Sequence, residues 1–312
     1  GLVAINILLL LFWLLARKYI IALIPLVALI ISWRIYSVVL AVNIPATIAQ
    51  SAPKGFSVMS YNVRLLNLYG WSGKKDTRSD LIRYFQKENP SILCLQEFYS
   101  NNPKSAKEAK GMNNRDAIKE ACGYEYMAEC NMYVTNRGKW GSILFSHYPI
   151  LTTENIEINI QGNNLIQKAE IHVADDTISV YNIHLTSNRF SEKETGLVFK
   201  NKLPEFSNTN YQITKSILQK LMDNSVDRGL EADIISSALR QDKNPTIVCG
   251  DLNDLPSSYS YFKIRENWKD AFLEKGLGFG STFRSPLPIL RIDYLLYTPS
   301  LQLLSLQQPN LP

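Results

Sequence analysis

The apolar residues of this chain follow two different patterns. Residues 2–15, "LVAINILLLLFWLL", and residues 19–42, beginning "YIIALIPLVALIISW", are almost unbroken apolar stretches parted by a basic turn at Arg17 and Lys18. The second is long enough to cross a hydrocarbon core of about 30 Å as a helix. Trp33 and Tyr36 suit the interface, Arg34 can snorkel towards it, and Pro25 is tolerated in a membrane helix. Two stretches around a basic turn predict a transmembrane helical hairpin over residues 1–44. A cleaved signal peptide would instead show one apolar core of limited length and a clean cleavage site. The two charges of the turn place it in the cytoplasm and the rest of the chain outside. Residues 45–55, "PATIAQSAPKG", have the composition of a linker.

From residue 56 the pattern changes to short runs bounded by Gly, Pro, Asn or Asp. Runs at 56–63, 91–98, 141–150, 168–173, 177–185, 246–252 and 292–298 are rich in β-branched and aromatic residues and predict strands. Between them, residues 78–90 place Leu81, Ile82 and Phe85 on one helical face and stop at Pro90. Residues 211–224 repeat Ile213, Ile217 and Leu221 at helical spacing. Strands that are apolar on both faces need helices to cover their sheets, which predicts a layered α/β body. Residues 186–210 are polar and irregular, as in a lid or a surface excursion.

Composition narrows the partners. Of the net charge of +5 over 312 residues, three units come from Arg17, Lys18 and Arg34, so the body is nearly neutral. It lacks the basic stripe of a protein that binds nucleic acid mainly through its phosphates. The hydrophobic content of 46% supports a large core. Cys94 and Cys249 lie in apolar runs and read as buried, whereas Cys122 and Cys130 flank a Gly-Tyr turn and could pair in an oxidising compartment. No spacing suggests zinc.

Candidate chemistry lies where the apolar runs end. "VMSYN" delivers Asn62, "ILCLQE" Glu97, "YNIH" Asn182 and His184, "IVCGDLN" Asp251 and Asn253, and "LRIDYLL" carries Asp293. Each has an ordinary reading: a turn asparagine, a strand-end charge, a core histidine, an Asp293–Arg291 pair, and turn chemistry at Asp254. Five such ends together describe a site, because carboxylates buried without partners are costly. Glu97 with Asn62 could hold a hard cation such as Mg²⁺ or Mn²⁺, which asks for one or two protein ligands plus water and phosphate. Asp251 could orient or deprotonate a water, with Asn253 and His184 donating to phosphate oxygens and Asn62 beside them.

These motifs resemble the endonuclease/exonuclease/phosphatase superfamily, from about residue 56 to the C-terminus. "SYNVR", "CLQEF", "GSILFSHYPI", "NIHL", "GDLND" and "RIDYLL" stand in the family's order. The resemblance implies a four-layered α/β/β/α sandwich and Mg²⁺-dependent cleavage of phosphoesters, whether nucleic acid, phospholipid or small phosphoester. It also implies a metal ligand in Glu97, phosphate contact by His184, an Asp251–Asn253 pair, and Asp293 orienting a further histidine. Segments like "RFSEKE" resemble those of membrane-anchored members from Bacteroidetes-type bacteria, which implies an inner-membrane location. Two departures accompany it. Arg64 stands where some nucleases of the family carry an acidic residue. "SLQQPNLP" stands where the family's Ser-Asp-His begins, which implies a catalytic domain over 56–312 that is truncated C-terminally and nearly inactive as it stands. A membrane-tethered binding module without turnover is the alternative.

Overall fold

Strands with apolar residues on both faces need cover on both, and here they obtain it by stacking as two sheets between helices. The computed structural model describes residues 2–43, 55–70, 76–101, 113–136, 138–158, 164–188, 208–283 and 290–309. The elements in chain order are α1 (Leu2–Leu15), α2 (Tyr19–Tyr36), β1 (Ala41–Val42), β2 (Val58–Asn62), α3 (Thr77–Glu88), β3 (Ile92–Asn101) and α4 (Asn114–Cys122). There follow β4 (Tyr126–Val134), β5 (Gly138–Ser146), β6 (Ile150–Glu157), β7 (Leu165–Val173), β8 (Asp176–His184) and α5 (Asn208–Gln241). The last are β9 (Thr246–Asp251), α6 (Tyr259–Arg265), β10 (Lys269–Asp270), α7 (Ala271–Lys275), β11 (Leu277–Gly278) and β12 (Asp293–Tyr297).

One sheet has four strands in the order β2-β3-β5-β4, the other six in the order β10-β12-β9-β8-β7-β6. Alternation along β3 explains the layering. Leu93 and Leu95 join Leu81 and Phe85 of α3 and Ile118 and Cys122 of α4 on the outside. Ile92 and Cys94 face the other way and meet Ile171, Val180, Ile247 and Cys249 of the larger sheet. That sheet's outer face packs Tyr181, Ile183 and Val248 against Ala232, Ile235 and Leu239 of α5 and Ile264 of α6. The result is the α/β/β/α sandwich expected from the resemblance.

The structure alters four boundaries. The expected run at 141–150 splits at His147–Pro149 into the ends of β5 and β6. Strand β4 lies outside the expected runs, because Glu129 and Asn131 break its apolar pattern. The helix expected at 211–224 extends to 34 residues, its second half burying Arg228 and Glu231. Helix α2 stops at Tyr36, and the residues after it belong to the body: Val38 joins the core under α5, and β1 pairs with β11. The linker at 45–55 lies outside the described residues apart from Gly55, as does the expected lid between Asn188 and Asn208. All four cysteines are free and buried. Cys122 and Cys130 sit on opposite faces of the smaller sheet and do not pair.

Candidate active site

Strand direction gathers the polar ends. Strands β8 and β9 are parallel, so their last residues, His184 and Asp251, are register partners. Strand β12 runs antiparallel to β9 and begins beside it, pairing Asp293 with Asp251. Gly250 makes this approach possible: its φ is +141°, and a Cβ there would lie 1.9 Å from the Ile183 carbonyl oxygen. In the other sheet β2 and β3 are parallel and deliver Asn62 and Glu97 to the same end. A bulge between Leu95 and Phe98 interrupts β3, and Glu97 within it has a φ of +47°. The bulge releases Glu97 from the in-out alternation and turns it into the mouth between the sheets.

The two half-sites meet through one amide. The Asn62 Nδ2 donates to Glu97 Oε1 at 3.0 Å and to Asp251 Oδ2 at 3.1 Å, while its Oδ1 accepts from the Arg64 backbone N–H. The NH₂ group thus acts as a donor between the sheets, and the Oδ1, with a second lone pair, is the Asn62 atom that could serve a cation. The Asp251 Oδ1 accepts from the Asn253 N–H at 2.7 Å, and Asn253 Nδ2 donates to the Leu185 carbonyl. His184 Nε2 lies 3.6 Å from Glu97 Oε1, beyond hydrogen-bond distance, and is buried without a partner. The backbone N–H of Asp293 donates to Thr282 Oγ1.

Three carboxylates therefore converge with little positive charge to offset them. Burial, then the charge of Asp251, pushes the Asp293 carboxyl well above the usual carboxylate range. Burial also raises Asp251, against the opposing pull of His184. Such a deficit of positive charge suits a cation. Among the described residues no three His, Cys, Asp or Glu side chains are grouped as a complete metal cage. Glu97, 31% exposed, could supply one carboxylate and leave the remaining positions to water and phosphate, which is the pattern of Mg²⁺ or Mn²⁺ rather than of zinc.

Several residues that hold the site were not legible beforehand. Glu231 accepts from the Thr186 N–H, the Thr186 hydroxyl and the Asn164 amide, and Asn164 also donates to the His184 carbonyl. Arg228 reaches the Thr186 carbonyl, Asn188 and Asp254. Two buried charges on α5 thus clamp the loops that follow β8 and β9. Their spacing of three along a helix was the available signal. Asp254, read as turn chemistry, closes this clamp. Arg291 does not pair with Asp293; it binds Asp270 at 2.7 Å and the Val38 carbonyl at 2.9 Å. Asn182 is not at the mouth but between the sheets, where it accepts from Gln96 and donates to Gln167.

Comparison with known proteins agrees with this geometry. The model of the endonuclease/exonuclease/phosphatase family matches residues 59–312. The chain belongs to this family. Its fold is shared by humanized D. rerio TDP2, with 15% identity, a TM-score of 0.52, and 78% of this chain and 83% of that one covered. A Bacteroides thetaiotaomicron mannosyl-6-phosphatase gives 13% identity and a TM-score of 0.50 over 79% and 86% of the two chains. A family protein from Leptotrichia buccalis gives 14% identity and a TM-score of 0.50 over 80% and 89%. No curated protein matches at a significant level.

Proposed function

We propose that this chain is a membrane-anchored, Mg²⁺- or Mn²⁺-dependent phosphoester hydrolase. The observation that carries the reading is the Asn62 amide, which joins Glu97 of one sheet to Asp251 of the other beside an unpartnered His184 nitrogen. In this reading Asp251, positioned by Asn62 and the Asn253 N–H, takes the proton of an attacking water. Its raised pKa brings it closer to working pH, which favours a general base. His184 Nε2 and Asn253 orient the phosphate, and Asp293, paired with Asp251 across β12 and β9, adds to the negative charge that a cation would offset. A divalent cation on Glu97 would supply Lewis-acid stabilisation of charge on phosphate. The reading as a phosphatase or phosphodiesterase of lipid or small phosphoesters, over nucleic acid, rests on the near-neutral body.

Anchoring rests on the hairpin. Helix α2 has 18 residues and a mean hydropathy of 2.0 over its span, with 11% of it buried. Helix α1 packs beside it, and Leu8, Phe12, Ile20, Ile24 and Ile31 are exposed. A lipid bilayer would cover these faces, with the body on the non-cytoplasmic side of a bacterial inner membrane. The test is hydrolysis of p-nitrophenyl phosphate and bis-p-nitrophenyl phosphate by the full-length protein in detergent, with Mg²⁺ and with chelator. Metal-stimulated turnover abolished in Asp251→Asn supports the reading. Absence of turnover on any phosphoester, with affinity for them retained, favours the binding module.

A further inference from the structure

The inner face of the smaller sheet continues past the candidate site, while the larger sheet stops there. Strand β3 runs on from Glu97 to Asn101 beside β5, with β4 on the far side of β5, whereas β8 and β9 end at His184 and Asp251. Leu144 of β5 faces the space between the sheets, so by alternation Ser142 and Trp140 share that face. Directly paired residues share a face as well. Tyr99 is opposite Trp140, and Trp140 is opposite Tyr133. Their rings form a row, with centroids 5.0 Å apart from Tyr99 to Trp140 and 5.6 Å from Trp140 to Tyr133. Gly138 makes room for it, since a Cβ there would lie 2.4 Å from the Tyr99 ring.

The row begins two residues beyond Glu97 and lies on the cleft side of its strand. Burial falls along it: Tyr99 is buried, Trp140 is half-buried, and Tyr133 is 59% exposed. The described charges of β4 and β5 point away. Lys139, between Gly138 and Trp140, faces the opposite side and pairs with Glu129. Beyond Glu97, the described residues on that face of β3, β4 and β5 therefore present aromatic rings, tilted by 50° and 53° to one another, and no charge. Exposed aromatic rings of this kind stack on a ring of a substrate.

We propose that Trp140 and Tyr133, backed by Tyr99, form the subsite for the substrate's leaving group, and that this group carries a ring with a flat apolar face close to the phosphoester oxygen. The inference rests on the reading of the site as a phosphoester hydrolase. A sugar ring and an aromatic ring both present such a face, and the test separates them.

The full-length protein with Mg²⁺ is given p-nitrophenyl phosphate, a hexose 6-phosphate and glycerol 3-phosphate, and kcat and KM are measured for each. Trp140→Ala is expected to raise KM for a ring-bearing ester about tenfold more than for glycerol 3-phosphate, with a smaller change in kcat. Trp140→Phe should restore most of the loss, and Tyr133→Ala, at an exposed position that tolerates truncation, should show the same selectivity at about threefold. Loss on the hexose ester alone assigns a sugar, and loss on the aryl ester alone an aromatic ring. Equal effects on ringed and ringless esters in both variants overturn the proposal. Calorimetric titration with the same three esters reads affinity without turnover. A ring preference removed by Trp140→Ala upholds the subsite even in a protein that hydrolyses none of them, which would instead count against the hydrolase reading. No ring preference in the unsubstituted protein overturns it.

Discussion

The space between the two sheets has two unlike ends. Away from the site it is filled by Ile92, Cys94 and Leu144 from one sheet and Ile171, Val180, Ile247 and Cys249 from the other. Towards the site it is crossed by a ladder of amides. Gln96 donates to Ser60 and to Asn182, Asn182 donates to Gln167 and to the Ile143 carbonyl, and Gln167 donates to the Ala128 carbonyl. Apolar packing is non-directional and tolerates small slips of one sheet over another. A buried amide ladder does not, because a slip strips partners from its members, and here the Gln96 Oε1 alone among its amide groups has none. The ladder sits one residue before Glu97 and two before His184. The apolar end supplies burial energy, and the amide end fixes how the two half-sites face each other.

Substitutions at the two ends should therefore separate stability from activity. At the site itself Asp251→Asn is expected to lower kcat by about 10²- to 10⁴-fold, the range for loss of a general base, with melting temperature unchanged or raised. At the apolar end Ile171→Ala should cost about 2–5 kcal/mol in denaturant unfolding, yet leave kcat of the folded fraction close to that of the parent. At the amide end Asn182→Ala should cost about 1–3 kcal/mol, by stranding Gln96 and Gln167, and should also lower kcat. Equal activity losses from Ile171→Ala and Asn182→Ala would erase the distinction.

The smallest effect is on pH. The folded-state pKa values of Asp251 and Asp293 are raised. Their contribution to stability is complete below the ordinary carboxylate range and is lost as pH rises through the raised values. Against the opposite slope from the lowered carboxyls of Asp116, Glu129 and Asp242, these two groups give metal-free protein a contribution to melting temperature that falls as pH rises across that window. Asp293→Asn should reduce this slope, as thermal unfolding at several pH values would read.

Much of this was legible from the pattern of residues. Apolar runs gave the strands, because strands covered on both faces carry few polar residues, and polar residues ending those runs marked Asn62, Glu97, His184, Asp251, Asn253 and Asp293. The pattern failed where polar residues are buried. Glu129 and Asn131 hid β4, and Arg228 and Glu231 hid the second half of α5. Asn182 shows the converse: a polar residue near a strand end faces the other sheet, and only the pairing of the sheets tells it from a site residue. Thr282 and Asn164 act by accepting from or donating to backbone groups, which no spacing in the sequence encodes. The bulge at Glu97 and the left-handed turn from Arg64 to Asn67 likewise depend on tertiary context.

The most direct measurement is Mg²⁺-stimulated hydrolysis by full-length protein in which the ladder is made apolar as a unit, with Gln96→Met, Asn182→Leu and Gln167→Met combined. Replacing all partners together leaves few polar groups stranded, so stability should hold or rise. The predicted result is a stable fold whose kcat falls at least about tenfold, the loss expected when catalytic groups are displaced by a fraction of an ångström. A stable variant with undiminished kcat would contradict the assignment of the amide end to site geometry.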